Sequence, residues 1–234
     1  MACDVRSGAA ATRRLPAVSL LLAAAALAVA AVPGAAGRLE YDRSAVAAGE
    51  VWRIVTGHWT HVNTDHLIWD VFTFAVLGAL CERANRGAFL ACVAGAAAAI
   101  PPAIGVLLPG LATYRGLSGI DCALFALLAA TGLHEGLAAV RRGWAVASGA
   151  ALLALLAKIA YETATGGTLF VGCAPAGMAP VPLAHAVGAA AGIAAARIFS
   201  RRPWTRDTRP ARGSRFEPGR ARRLSRIRDG SLEA

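Results

Sequence analysis

Long apolar runs alternate with short polar connections along the whole chain. The runs cover about 15–32, 66–80, 87–108, 117–133, 144–163 and 181–199. A stretch of roughly 20 apolar residues is what a helix needs to cross the hydrocarbon layer, and these runs equal or approach it. The pattern predicts an all-α, polytopic membrane protein with six transmembrane helices in one bundle. The run at 66–80 is short and begins with polar groups, so one of its ends is expected to sit below the membrane surface. The third run contains Pro101-Pro102, which is expected to break it. Such a break is tolerated in lipid when neighbours satisfy the freed carbonyls. The first run follows Arg6, Arg13 and Arg14 and ends at Pro33-Gly34. Basic, apolar and small residues in that order also describe a cleaved signal peptide. The run is long for a signal core and further spans follow, so a retained first helix is the expectation.

The polar connections refine this picture. Residues 35–65 carry Arg38, Glu40, Asp42, Arg43, Glu50 and Arg53 among the aromatics Trp52 and Trp59. Aromatics of this kind favour the membrane interface, and a partly embedded loop with short helices is expected. Residues 164–180 read as a Gly/Pro-rich loop. The domain division is therefore an N-terminal tail at 1–14, a membrane domain at 15–199 and a basic tail at 200–234. That last segment has almost no apolar periodicity and is expected to be disordered. Six spans put both termini on one side. With that side cytoplasmic, 19 of the 24 basic residues fall inside and four (Arg38, Arg43, Arg53 and Arg115) outside. The bias predicts cytoplasmic termini.

Composition supports a membrane protein and excludes most other classes. Hydrophobic residues make up 56% of the chain and charged residues 16%. The net charge of +10 resembles a nucleic-acid signal until it is mapped: half of the 24 basic residues are arginines from Arg197 onward. A basic tail beside a membrane helix is a topology signal and an anionic-lipid contact. The partner it implies is the lipid bilayer, not nucleic acid. The five cysteines, Cys3, Cys81, Cys92, Cys122 and Cys173, show neither CxxC nor metal-like spacing. Neither a disulfide nor zinc is expected.

The candidate chemistry lies in the apolar runs. Ser118 opens the fourth run between Gly116 and Gly119, and His185 lies near the start of the sixth, at similar depth. Alone, Ser118 reads as a small residue that lets helices pack, and His185 as an interhelical hydrogen bond. Gly188 and Gly192 continue from His185 as a small-residue face, which would let the sixth helix press on the fourth near Gly116 and Gly119. A serine and a histidine brought within hydrogen-bond distance make an activated nucleophile. His66 and Asp70 are four apart and share a helix face. With His61 they raise the question of a metal, but His-x4-His is not the usual helical pair, and no metal is expected. Lys158 has two acids as candidate partners, Asp121 on another helix and Glu162 at i+4.

Several pieces in order resemble the rhomboid intramembrane serine proteases. They are Trp52-Arg53 with Thr56, His61 and His66; Leu77-Gly78 with Glu82; Gly116-Leu117-Ser118-Gly119; and Ala184-His185 with Gly188 and Gly192. The resemblance spans about residues 49–199. It implies a Ser–His dyad without a third acidic member. Ser118 matches the nucleophile and His185 the general base. His66 matches the histidine lining the oxyanion hole, and Gly116 the glycine before the nucleophile motif's leucine. Arg53, Glu82 and His61 match structural positions. The implied substrates are membrane-anchored proteins, cut at or near the outer face, with no cofactor. The context Tyr114-Arg115-Gly116-Leu117-Ser118-Gly119 is similar to the rhombosortase subgroup, bacterial enzymes that cut proteins bearing a C-terminal Gly-Gly-type sorting tail. That resemblance implies a bacterial inner-membrane location.

Two departures stand against the family pattern. Asp70 takes the place of an oxyanion asparagine. Either it is protonated and donates, or it orients His66 and leaves backbone N–H groups to stabilise the oxyanion. Cys122 takes a position that often carries an aromatic stacked on the histidine. The alternatives to a protease are an inactive relative that binds membrane clients and a small transporter using His66, Asp70, Asp121 and Lys158. A transporter would predict two internal repeats, and the sequence shows none.

Overall fold

The computed structural model describes residues 15–168 and 180–200. The expected tails at 1–14 and 201–234, and the part of the Gly/Pro-rich loop at 169–179, lie outside the described residues. Among those described, the helices in chain order are α1 (Ala17–Ala31), α2 (Ala35–Leu39), α3 (Arg43–Ala47), α4 (Arg53–Thr56), α5 (Thr64–Ala84), α6 (Arg86–Leu107), α7 (Ser118–Ala138), α8 (Arg142–Thr165) and α9 (Pro182–Phe199). One 3₁₀ turn, Gly57–Trp59, follows α4. Two short strands, β1 (Tyr41–Asp42) and β2 (Thr113–Tyr114), pair antiparallel with Tyr41 opposite Tyr114. The fold is an all-α membrane bundle with a minimal ribbon on one end.

All six apolar runs are helical. Four of the helices, α6 to α9, are long and apolar enough to cross a membrane by length and composition. The apolar α1 is shorter, at 15 residues. The 21 residues of α5 carry charges at both ends, Asp65 at the start and Arg83 in the last turn. Several helices outrun the apolar run that predicted them. Asn63 extends α5 by accepting the His66 N–H at 2.8 Å, and Asn85 opens α6 by accepting the Ala88 N–H at 3.0 Å. These are side-chain N-caps, which satisfy amides that no helical carbonyl can reach.

The expected break at Pro101-Pro102 does not occur, because α6 continues through both prolines. Pro101 has no N–H to bond the carbonyl four residues back, Ala97. His58 fills that place, with Nε2 at 3.2 Å from the Ala97 oxygen. His58 is fully buried, and burial lowers its pKa to about 4. A neutral imidazole with its proton on Nε2 is the form that donates here. The loop thus pins itself to the helix at the point where the helix lacks a donor. Arg43 closes the far end of α6, with Nη1 donating to the Gly105 carbonyl and Nη2 to that of Leu108, each at 2.7 Å.

The remaining contacts of the first loop are structural. Arg53 donates through Nη1 to the Gly37 and Glu40 carbonyls at 3.0 Å each and pairs with Glu50. Glu82, on α5, reaches the start of α1. Its carboxylate accepts from the Val18 N–H, the Ser19 N–H and the Ser19 hydroxyl. An anion on the free amides of a helix N-terminus is favourable. Trp59 ties the loop to the same helix by donating to the Leu22 carbonyl at 3.0 Å.

At the centre stands α7, packed against α5, α6, α8 and α9. Its apolar window is 61% buried, whereas that of α8 is 17%. α8 instead exposes Trp144, Val146, Leu153, Leu156 and Tyr161. An apolar face of that extent has lipid as its natural solvent. Cys81, Cys92 and Cys122 are free and buried, acting as small hydrophobes. Cys3 and Cys173 lie outside the described residues.

Candidate active site

The site forms where α7 begins. The ribbon holds Tyr114, and Gly116 then turns the chain into the helix with φ of +114°, a region that favours glycine. Space imposes the same choice. A Cβ at Gly116 would lie 2.8 Å from His66 Cε1 and 3.1 Å from Asp70 Oδ2. Two glycines of α9 then bring that helix against α7. A Cβ at Gly188 would overlap the Gly119 carbonyl oxygen, and one at Gly192 the Ala123 carbonyl oxygen. Gly119 is itself crowded, by Ile100 and the Ala184 carbonyl. Only backbones without side chains can approach this closely, as the small-residue face at Gly188 and Gly192 predicts.

This seam brings Ser118 and His185 together. Ser118 Oγ lies 3.0 Å from His185 Nε2. The two residues are 67 apart in sequence, and His185 is 6% exposed. A serine hydroxyl donating to a neutral imidazole nitrogen is poised to lose its proton to that nitrogen when the oxygen attacks.

The other side of the imidazole differs from the two-member arrangement that the family resemblance implies. His185 Nδ1 lies 2.7 Å from Glu162 Oε2 and 3.3 Å from Lys158 Nζ. Lys158 Nζ donates to Glu162 Oε1 at 2.7 Å. The partner of Lys158 is therefore Glu162, not Asp121. Asp121 is buried, and its Oδ1 has no hydrogen-bond partner among the described residues. Cys122 packs with Ala126, Leu155 and Ala189 and puts no ring on the histidine. The placement of Glu162 was missed in the sequence, although an acid inside an apolar run was a signal for it.

Asp70 faces both His66 and the start of α7. Its Oδ2 accepts the backbone N–H of Leu117 at 2.8 Å and of Ser118 at 3.1 Å. His66 Nε2 is 3.1 Å from the same oxygen, and His61 Nε2 is 3.3 Å away. Oδ2 therefore acts as an acceptor for two backbone N–H groups. Asp70 does face His66, but it also occupies the backbone N–H groups that the orienting reading leaves for the oxyanion. It caps the N-terminus of α7, where the helix dipole favours an anion. The rings of His61 and His66 stand edge-on, 5.2 Å apart.

Compared with protein families, residues 48–202 match the Rhomboid domain. That is about two-thirds of the chain. The chain belongs to the rhomboid family, a family of intramembrane serine proteases that also includes inactive members. No curated protein matches the chain. The family acts on membrane proteins in the bilayer, which agrees with the apolar face of α8.

Proposed function

We propose that the chain is an intramembrane serine endopeptidase that cleaves membrane-anchored proteins. The observation that carries this reading is the 3.0 Å contact of Ser118 Oγ with His185 Nε2 at the start of α7. Ser118 attacks the scissile carbonyl carbon, and His185 takes the hydroxyl proton. The C–N bond breaks as His185 returns that proton to the leaving amine. Water then hydrolyses the acyl-serine by the reverse assistance. The Ser118 N–H, with His66 nearby, is the donor for the oxyanion, and Asp70 Oδ2, which holds that N–H at 3.1 Å, has to yield it as the oxyanion forms. Six spans, cytoplasmic termini, a site facing the outer side and a bacterial inner membrane complete the reading. They rest on the six helical apolar runs and the distribution of basic residues. The narrower reading is a rhombosortase that removes C-terminal sorting tails. The residues supporting it are Tyr114 to Gly119.

The test is labelling of purified protein by a fluorophosphonate serine probe. Wild type is expected to label and Ser118→Ala to lose the label completely. Folded wild type that takes no label overturns the reading. It would favour an inactive rhomboid that binds membrane clients. The specific observation on that side is Asp70, whose carboxylate sits on the Ser118 N–H.

Asp70 also yields a directional prediction. A carboxylate beside a developing oxyanion repels it, and it holds a donor that the oxyanion needs. Asp70→Asn keeps an acceptor for Leu117 and adds a neutral N–H donor. The labelling rate is expected to rise about tenfold, equivalent to about 1.4 kcal/mol of barrier. A fall below wild type would mean that the carboxylate's hold on the start of α7 outweighs its repulsion.

A further inference from the structure

We infer that Glu162 is a positioning residue that fixes the tautomer of His185, and that it does so against the competing donor Lys158. The inference rests on the protease reading and adds a third member to the pair. Lys158 Nζ carries only donors, and so must point them at acceptors. Two groups lie within its reach, Glu162 Oε1 at 2.7 Å and His185 Nδ1 at 3.3 Å, and Nδ1 accepts only if it carries no proton. The Glu162 carboxylate has two oxygens and uses one for each neighbour, Oε1 for Lys158 and Oε2 for His185 Nδ1 at 2.7 Å. Since Oε2 only accepts, Nδ1 must carry the proton. Nε2 is then the acceptor, and it faces Ser118 Oγ at 3.0 Å. For a neutral ring this arrangement satisfies both carboxylate oxygens, and it is the one in which His185 can take the serine proton.

Removing the carboxylate reverses this. A glutamine at that site has one acceptor oxygen, and Lys158 claims it. The amide NH₂ then faces Nδ1 and donates to it. Nδ1 becomes the acceptor, the imidazole proton moves to Nε2, and Ser118 loses its base. Burial keeps water from repairing the exchange, because Glu162 is 2% exposed and His185 6%. Carboxylate-to-amide exchange in serine-protease triads acts by the same wrong tautomer and costs about 10⁴-fold in kcat.

The experiment uses the full chain in proteoliposomes, with a transmembrane model substrate and the fluorophosphonate probe. Glu162→Gln is expected to lower kcat by about 10²–10³-fold with KM within about twofold, and the labelling rate falls with kcat. Adding Lys158→Met frees the glutamine oxygen to turn toward Nδ1. The double variant is therefore expected to recover about tenfold or more over Glu162→Gln alone. A merely structural role predicts that the second substitution adds further loss. Glu162→Asp keeps a carboxylate and is expected to stay within about tenfold of wild type. Glu162→Gln within about twofold of wild type overturns the inference, as does a double variant without recovery. Should Glu162→Gln not fold, Glu162→Asp decides: retained turnover supports the inference, and loss beyond about 100-fold in folded protein overturns it. Wild type that labels while Glu162→Gln labels equally well sinks this inference alone. Unlabelled wild type sinks the protease reading and this inference together.

Discussion

Gly188→Leu is expected to undock α9 from α7 and lower stability by about 3 kcal/mol or more. Overpacking with a flexible neighbour costs about 1–3 kcal/mol, because side chains can give. Here the obstacle is the Gly119 carbonyl oxygen, which belongs to a helix backbone and has no rotamer to adopt. The two helices would have to separate, and His185 would leave Ser118 with them. Thermal unfolding in detergent should show a clear fall in Tm, accompanied by loss of probe labelling. Gly95→Leu is the matched control, since a Cβ at Gly95 meets nothing within 4 Å. A Gly188→Leu protein with the Tm and labelling of wild type would mean that α7 and α9 do not meet as described.

His185→Ala is expected to slow labelling by about 10²–10⁴-fold while leaving Tm within a few degrees. That range is the contribution of a positioned general base. Ser118 keeps its hydroxyl in this variant, so the loss reports on deprotonation alone. Labelling at the wild-type rate would transfer the role of base to another group. The prediction differs from that for Gly188→Leu in its thermal signature, so chemistry and packing can be read separately.

Much of this arrangement was legible in the sequence, for physical reasons. Gly116, Gly119, Gly188 and Gly192 mark helices that can touch backbone to backbone, and Ser118 and His185 flank that seam. Helix ends were harder to place. The polar residues around Asn63 and Asn85 interrupt the apolar run but prolong the helices by capping them. The prolines at 101 and 102 read as a break because nothing in a linear pattern reveals a donor 39 residues away. Glu162 was ambiguous for a similar reason. Lys158 has an acid on its own helix and another on α7, and spacing alone does not say which helix faces which. Asp70 looked like a replacement for an amide. That it accepts from two backbone N–H groups depends on how α5 meets the start of α7, which is a matter of packing.

The bond between His58 and the Ala97 carbonyl couples two residues that each carry a deficit. The ring of Pro101 denies that carbonyl its ordinary helical mate, and the buried imidazole has to place its proton somewhere away from water. Exchanging His58 for an apolar residue strands the Ala97 oxygen without a donor, whereas any other residue at 101 supplies that carbonyl with a helical N–H of its own. The loop is in this way riveted to the bundle at the very place where the proline weakened the helix.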